Sequence, residues 1–100
     1  MEEKTLNNYE GLFILKPDLE KEELSQLHKK ITDNIKKYKG ELESAPDDWG
    51  KKRLNYRIKK QREGSYCLIK FKIDPLEINQ LNSELKLNED IIRIMFTRQQ

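Results

Sequence analysis

Apolar residues recur along the chain in two patterns, one typical of strands and one typical of helices. A dense apolar and aromatic run from Tyr9 to Leu15, followed by Lys16-Pro17-Asp18, predicts a strand that ends in a turn. Apolar residues spaced by three and four then predict a helix from about Glu20 to Lys39, ended by Gly40. The expected buried stripe of this helix comprises Leu24, Leu27, His28, Ile31, Ile35 and Tyr38.

The middle of the chain predicts two strands joined by a tight turn. An irregular strand begins at Leu42, is interrupted near residues 46–50, and resumes from Lys51 to Lys60 as alternating apolar and basic residues. Residues 61–64 predict the hairpin turn, and Ser65 to Ile73 predict the next strand. Its inward face is expected to carry Cys67, Ile69, Phe71 and Ile73.

The last third predicts a helix and a strand. Asp74-Pro75-Leu76-Glu77 combines a cap, a proline at the first helical position and a carboxylate three residues after the cap, which predicts a helix start. A strand is expected from about Asp90 to Thr97. The apolar positions of the two elements are Ile78, Leu81 and Leu85, then Ile92, Ile94 and Phe96.

The order βαββαβ predicts an α+β fold of the ferredoxin-like kind. A four-stranded antiparallel sheet with two helices on one face buries every apolar stripe. Right-handed crossovers place strands one and three at the centre and strands two and four at the edges. We expect one domain over residues 7–98, preceded by a flexible N-terminal extension, residues 1–6.

Composition narrows the class of protein. With 100 residues, 35% of them hydrophobic, and a net charge of only +2, the chain is expected to fold as a globular domain. The single cysteine, Cys67, excludes an intramolecular disulfide and a cysteine metal cluster. No apolar run approaches the ~18 residues of a membrane span, and the N-terminus lacks a secretory pattern, so a cytoplasmic protein is expected.

Residue patterns that carry catalysis are missing from the sequence. His28 lies on an apolar helix stripe and Cys67 among inward strand residues, so both are expected to be packing residues. Acylphosphatases share the fold and have a phosphate-binding loop where this chain has Lys16-Pro17-Asp18. The glutamates at 20, 22 and 23 are better explained by the helix dipole than by a metal site. We therefore expect no enzyme and no cofactor. Trp49 suits either the edge of the core or a partner.

Positive charge is concentrated in one segment. Residues 51–62 contain seven cations and no acid, and they follow an acidic stretch over residues 41–48. Such a block is typical of a nucleic-acid footprint, although charge alone fits a solvated basic hairpin equally well. The cations are Lys51, Lys52, Arg53, Arg57, Lys59, Lys60 and Arg62.

The sheet face without helices is expected to be a binding surface. A contiguous apolar patch rimmed by arginines is typical of an interface, unless a bulge shifts the alternation and buries some members. The RNA-recognition motif needs aromatic residues on strand three where this chain has Ser65 and Cys67, so that stacking platform is missing. The expected outward set is Leu12 and Ile14, Arg53 and Arg57, Tyr66 and Leu68, and Arg93 and Met95.

Residues 50–59, Gly-Lys-Lys-Arg-Leu-Asn-Tyr-Arg-Ile-Lys, closely resemble the signature of the bacterial small-subunit ribosomal protein six family. Further matching features are Tyr9-Glu10, Pro17, Gly40, Gly64 and the run from Ile91 to Met95, so the resemblance covers residues 7–98. Asn55 and Arg57 depart from the family pattern, which has Ser or Ala and often Pro at these places.

The resemblance implies a ribosome-associated protein that binds the central domain of small-subunit ribosomal RNA together with small-subunit protein eighteen, and that is monomeric when free. A protein-only interaction module that uses the open sheet face is the alternative. The implied RNA contacts are Lys51, Lys52, Arg53, Arg57, Arg93 and Arg98. The candidate contacts to the protein partner are Leu12, Ile14, Tyr66, Leu68 and Met95, with the strand-two edge.

Overall fold

The computed structural model describes residues 6–99, so the expected N-terminal extension lies outside the described part except for its last residue. Two helices and five strands follow one another in the order β1, α1, β2, β3, β4, α2 and β5. Their bounds are β1 Asn7–Leu15, α1 Lys21–Lys37, β2 Glu41–Leu42, β3 Asp47–Ile58, β4 Gln61–Ile73, α2 Ile78–Leu85 and β5 Ile91–Gln99.

The strands form one antiparallel sheet with β4 and β1 at its centre. β5 pairs with β1 at one edge, while β2 and β3 both pair with β4 at the other. β2 and β3 are therefore the two parts of the predicted interrupted strand and occupy one edge position. The predicted ferredoxin-like arrangement is confirmed, with five strands where the sequence predicts four.

The core lies between the helices and one sheet face. Phe96 packs edge-on against Phe13 and Phe71, with ring centroids 5.9 and 5.7 Å apart. Gly11 makes room for this cluster, because a Cβ there would come within 3.0 Å of the Phe96 ring. The buried members from the two helices are Leu27, Ile31, Ile35, Leu81 and Leu85.

The end of α1 differs from the prediction in the role of its glycine. Lys39, not Gly40, adopts the left-handed conformation, with φ of 65°. The Gly40 N–H donates to the Ile35 carbonyl at 2.8 Å, which closes the helix as a Schellman motif. A Cβ at Gly40 would lie 2.6 Å from Ile35 Cγ2, so the glycine is required for close packing.

The β3–β4 turn lies two residues before its predicted place. Ile58 pairs with Gln61, and the turn residues Lys59 and Lys60 both have positive φ, 48° and 67°. A two-residue hairpin needs this handedness to match the strand twist, even though neither residue is glycine. The prediction of a turn at residues 61–64 is wrong, because Gly64 lies inside β4 and is buried against Ile14.

The start of α2 and the buried positions of β5 also differ from the prediction. Asp74 accepts a hydrogen bond from the Leu76 N–H at 2.9 Å and forms a turn, so α2 begins at Ile78. A register shift near Leu15 brings Ile91 into the core, while Ile92 is buried outside that cluster. Within residues 6–99, no helix combines the length and the hydropathy needed to cross a membrane.

We expect Gly64→Ala to lower the free energy of unfolding by about 1–3 kcal/mol, because the added Cβ would overlap Ile14 Cγ2. Urea denaturation measures the change. In an Ile14→Ala background the same substitution should cost less, since the overlapping atom is gone. An equal cost in both backgrounds would show that this contact is not the reason.

We expect Lys59→Asn combined with Lys60→Gly to raise the free energy of unfolding by about 1 kcal/mol, because Asn and Gly adopt positive φ at a lower cost than Lys. Thermal and urea unfolding measure the gain. The control is Lys59→Gln with Lys60→Gln, which removes the same charges but retains Cβ-substituted side chains. A similar gain in the control would assign the effect to charge.

Candidate nucleic-acid and protein interface

The helix-free sheet face, here called the open face, changes from polar to apolar along its strands. Near one end, Glu10 and Lys70 form a 4.0 Å ion pair. The next row across the sheet is apolar, because Leu12 lies opposite both Leu68 and Met95. The following row joins Tyr66, Ile14 and Arg93. The apolar half of the open face is therefore the half nearest the β3–β4 hairpin.

Four of the five residues predicted to meet a protein partner are partly exposed, and one is not. Leu12, Tyr66 and Leu68 are half-buried and Met95 is exposed. Ile14 is only 3% exposed, so its predicted position on the accessible surface is wrong. Gly64 lies directly against its side chain, and the hairpin residues Leu54, Tyr56 and Ile58 line the same cavity as Ile14.

The hairpin crosses the open face and contacts the far edge strand. β3 loses its pairing with β4 between Arg53 and Ile58. Within this stretch, the Tyr56 hydroxyl accepts a 2.9 Å hydrogen bond from the Arg93 guanidinium on β5. Tyr56 is 63% exposed, so the predicted alternation of half-buried residues over this strand is wrong at Tyr56.

The seven cations of the hairpin are all exposed, and none forms an ion pair with another residue of the described range 6–99. Arg53 lies opposite Glu63. Glu63 is four residues before Cys67 on β4, and residues an even number apart on a strand share a face, so Glu63 lies on the helix side of the sheet. Arg53 therefore lies on the other side of the sheet from the open face, contrary to the prediction. Arg57 is exposed and lies in the stretch of β3 that has no partner on β4, so the pairing register assigns it to neither face.

The two arginines predicted on β5 lie far apart. Arg93 is joined to the hairpin through Tyr56, next to the basic segment. Arg98 lies opposite Tyr9, five residues further along β5, which corresponds to roughly 17 Å of strand. The structure thus groups Lys51, Lys52, Arg53, Arg57 and Arg93 at one end of the sheet and leaves Arg98 outside this group.

Trp49 lies at a bulge in β3, which the sequence predicts only as an interruption. Asp48 pairs with Cys67 and Gly50 pairs with Tyr66, so Trp49 is the extra residue. Gly50 has φ of +79°, and its N–H donates to Asp48 Oδ1 at 2.8 Å. The indole is 42% exposed, so Trp49 is not part of the core.

Of the two groups considered for catalysis, Cys67 is fully buried in the core and His28 is half-buried on α1. Burial lowers the pKa of His28, an effect that the Asp48 carboxylate opposes. Burial raises the pKa of the Cys67 thiol to about 12, and Asp48 and Asp47 add to the shift. Over residues 6–99 no group of three or more His, Cys, Asp or Glu side chains could hold a metal ion. Glu23 accepts a hydrogen bond from the Glu20 N–H at 3.1 Å as part of a capping box, a role that the helix-dipole interpretation of these glutamates did not include.

Comparison with known proteins finds likenesses over nearly the whole chain. A model of the family described as ribosomal protein S6 matches residues 8–98. The chain is 40% identical over 93 residues to small ribosomal subunit protein bS6 of Moorella thermoacetica, which covers 93% of this chain and 94% of that protein. It is 34% identical to the bS6 protein of Streptomyces coelicolor, over 93% and 96% of the two chains. The crystal structure of 30S ribosomal protein S6 from Thermotoga maritima superposes with a TM-score of 0.86 at 28% identity, covering 95% of this chain and 89% of that one.

We expect Cys67 in the folded protein to resist Ellman's reagent at pH 8, because its raised pKa reduces the thiolate population by a factor on the order of 10³ relative to a free thiol. Absorbance of the released thionitrobenzoate measures the rate. In concentrated urea the same thiol should react at the rate of a small-molecule thiol. Rapid labelling of the folded protein would contradict the burial of this strand.

Proposed function

We propose that this chain, which belongs to the ribosomal protein S6 family, binds the central domain of small-subunit ribosomal RNA together with small-subunit protein eighteen. Members of this family are structural proteins of the small ribosomal subunit rather than enzymes. In this proposal the β3–β4 hairpin contacts RNA phosphates, and the apolar row of the open face meets the partner protein. The two surfaces adjoin each other, so both partners can be bound at once.

The run of exposed, unpaired cations on the hairpin is the observation that carries the RNA part of the proposal. Each cation that neutralises a phosphate releases counterions, which favours binding without requiring a particular base. A cation held by a neighbouring carboxylate contributes less, and within residues 6–99 these seven have no such partner. Arg93, positioned by Tyr56, adds a guanidinium at the same end of the sheet.

The partner protein is proposed to cover the row Leu68, Leu12 and Met95, with Tyr66 beside it. An exposed apolar row next to charged residues is typical of a protein interface. Residues 54–57 of β3, which have no partner strand on β4, are a further candidate contact, because unpaired strand backbone can pair with another protein. This apolar row equally favours the protein-only module, which differs by making no contact with RNA.

We expect the pair of substitutions Arg53→Ala and Arg57→Ala to weaken RNA binding and to reduce the slope of log affinity against log salt by about one per lost phosphate contact, about two in all. Filter binding of a central-domain RNA fragment, with the partner protein present and absent, measures both quantities. The reduced slope follows from the loss of two counterion-releasing contacts.

The matched control is Lys29→Ala with Lys36→Ala, which removes two exposed cations from α1, outside the hairpin. Its slope should equal that of the unchanged protein. If both double variants lose slope equally, net charge and not the hairpin determines binding. If the unchanged protein binds the partner but no RNA, the protein-only module is correct.

A further inference from the structure

Trp49 is an exposed aromatic side chain with a restrained position. Its indole N–H donates to Asp47 Oδ2 at 3.0 Å, and the Lys52 ammonium lies 5.2 Å from the ring centroid. The bulge that carries it is held by the hydrogen bond from the Gly50 N–H to Asp48. A ring fixed by its neighbours loses little conformational freedom when a ligand stacks on it.

The residue that follows Trp49 leaves open space. Gly50, the next residue, lies opposite Tyr66 on the open face and contributes no side chain. A Cβ built on Gly50 would meet no atom within 4 Å. The position next to the indole therefore holds no protein atom that a ligand would have to displace, and 42% of Trp49 is exposed to solvent.

The surrounding charge favours a nucleotide as this flat group. Lys51, Lys52 and Arg53 follow the indole directly on β3 and are exposed. The two acids before it, Asp47 and Asp48, accept hydrogen bonds from the indole and from the Gly50 N–H, and the three cations exceed them by one charge. An aromatic surface beside cations that track a phosphate backbone is the combination used to bind unpaired nucleotides.

We propose that Trp49 is a stacking site for one unpaired nucleobase of RNA, with the Lys51 and Lys52 ammonium groups on the flanking phosphates. The inference rests on the proposed function and deepens it, since the phosphate contacts alone do not distinguish paired from unpaired RNA. The RNA-recognition motif stacks bases on aromatic residues of its central strands, where this chain has Ser65 and Cys67. In this protein the proposed stacking surface lies on β3 instead.

Trp49 is the only tryptophan of the chain, so its fluorescence reports this site alone. The probe is a dye-labelled single-stranded oligoadenylate of twelve nucleotides at low salt, with a fully paired RNA duplex of equal length as the comparison. We expect the single strand to quench Trp49 emission along the same saturation curve as the dye anisotropy. The duplex should raise the anisotropy and leave Trp49 emission nearly unchanged.

Variants separate stacking from burial of apolar area. Trp49→Leu should weaken single-strand binding at least about 5-fold, the low end of the cost of losing one base–aromatic stack. Trp49→Tyr retains an aromatic surface and should restore most of the affinity. Both should bind the duplex like the unchanged protein. Thermal unfolding checks that each variant folds, as expected for a residue outside the core.

Three results would overturn the inference. The first is single-strand binding, seen by anisotropy, without quenching, which leaves the proposed function intact. The second is no binding of the single strand at all. The proposed function is then tested separately by filter binding of the central-domain RNA fragment with the partner protein present. The third uses protein labelled with 5-fluorotryptophan. If its fluorine resonance shifts when the partner protein is added but does not shift when the oligoadenylate is added, the indole belongs to the protein interface.

Discussion

The close approach of Gly64 to Ile14 is the contact on which the exposed half of the molecule depends. Gly64 lies at the base of the hairpin, where β4 continues past its pairing with β1, and a Cβ at this position would overlap Ile14 Cγ2. Beyond it, residues 54–57 of β3 have no partner on β4, and Tyr56 contacts Arg93, three strands away. The buried glycine therefore permits the close packing from which the hairpin extends across the open face.

The hairpin and the sheet form two chemically distinct parts of the surface. The cations lie on the hairpin, where solvent surrounds them and no described carboxylate pairs with them. The apolar row of Leu68, Leu12 and Met95 lies beside the hairpin on the sheet itself. Attraction to phosphates acts over about a Debye length, whereas apolar contact requires fitting surfaces, so the two parts suit two different partners.

The local errors in the sequence predictions have a common physical reason. Glycine was expected where the backbone turns, at Gly40 and within residues 61–64. In the structure lysines take the left-handed conformations, at positions 39, 59 and 60, whereas Gly40 and Gly64 are needed because another residue lies too close for a Cβ. A sequence shows that a glycine is present, but backbone freedom and close packing require the same residue.

The sequence by itself determined the order of elements, the helix-side core and the basic segment, because each follows from local periodicity or from a run of like charges. It also identified most of the open face, since alternation along a regular strand needs no knowledge of distant residues. Only the tertiary structure decided that Ile14 is covered, that Arg53 lies on the opposite side, and that Trp49 projects at a bulge. These outcomes depend on pairing register and on contacts between residues distant in sequence, and a local pattern carries no information about either.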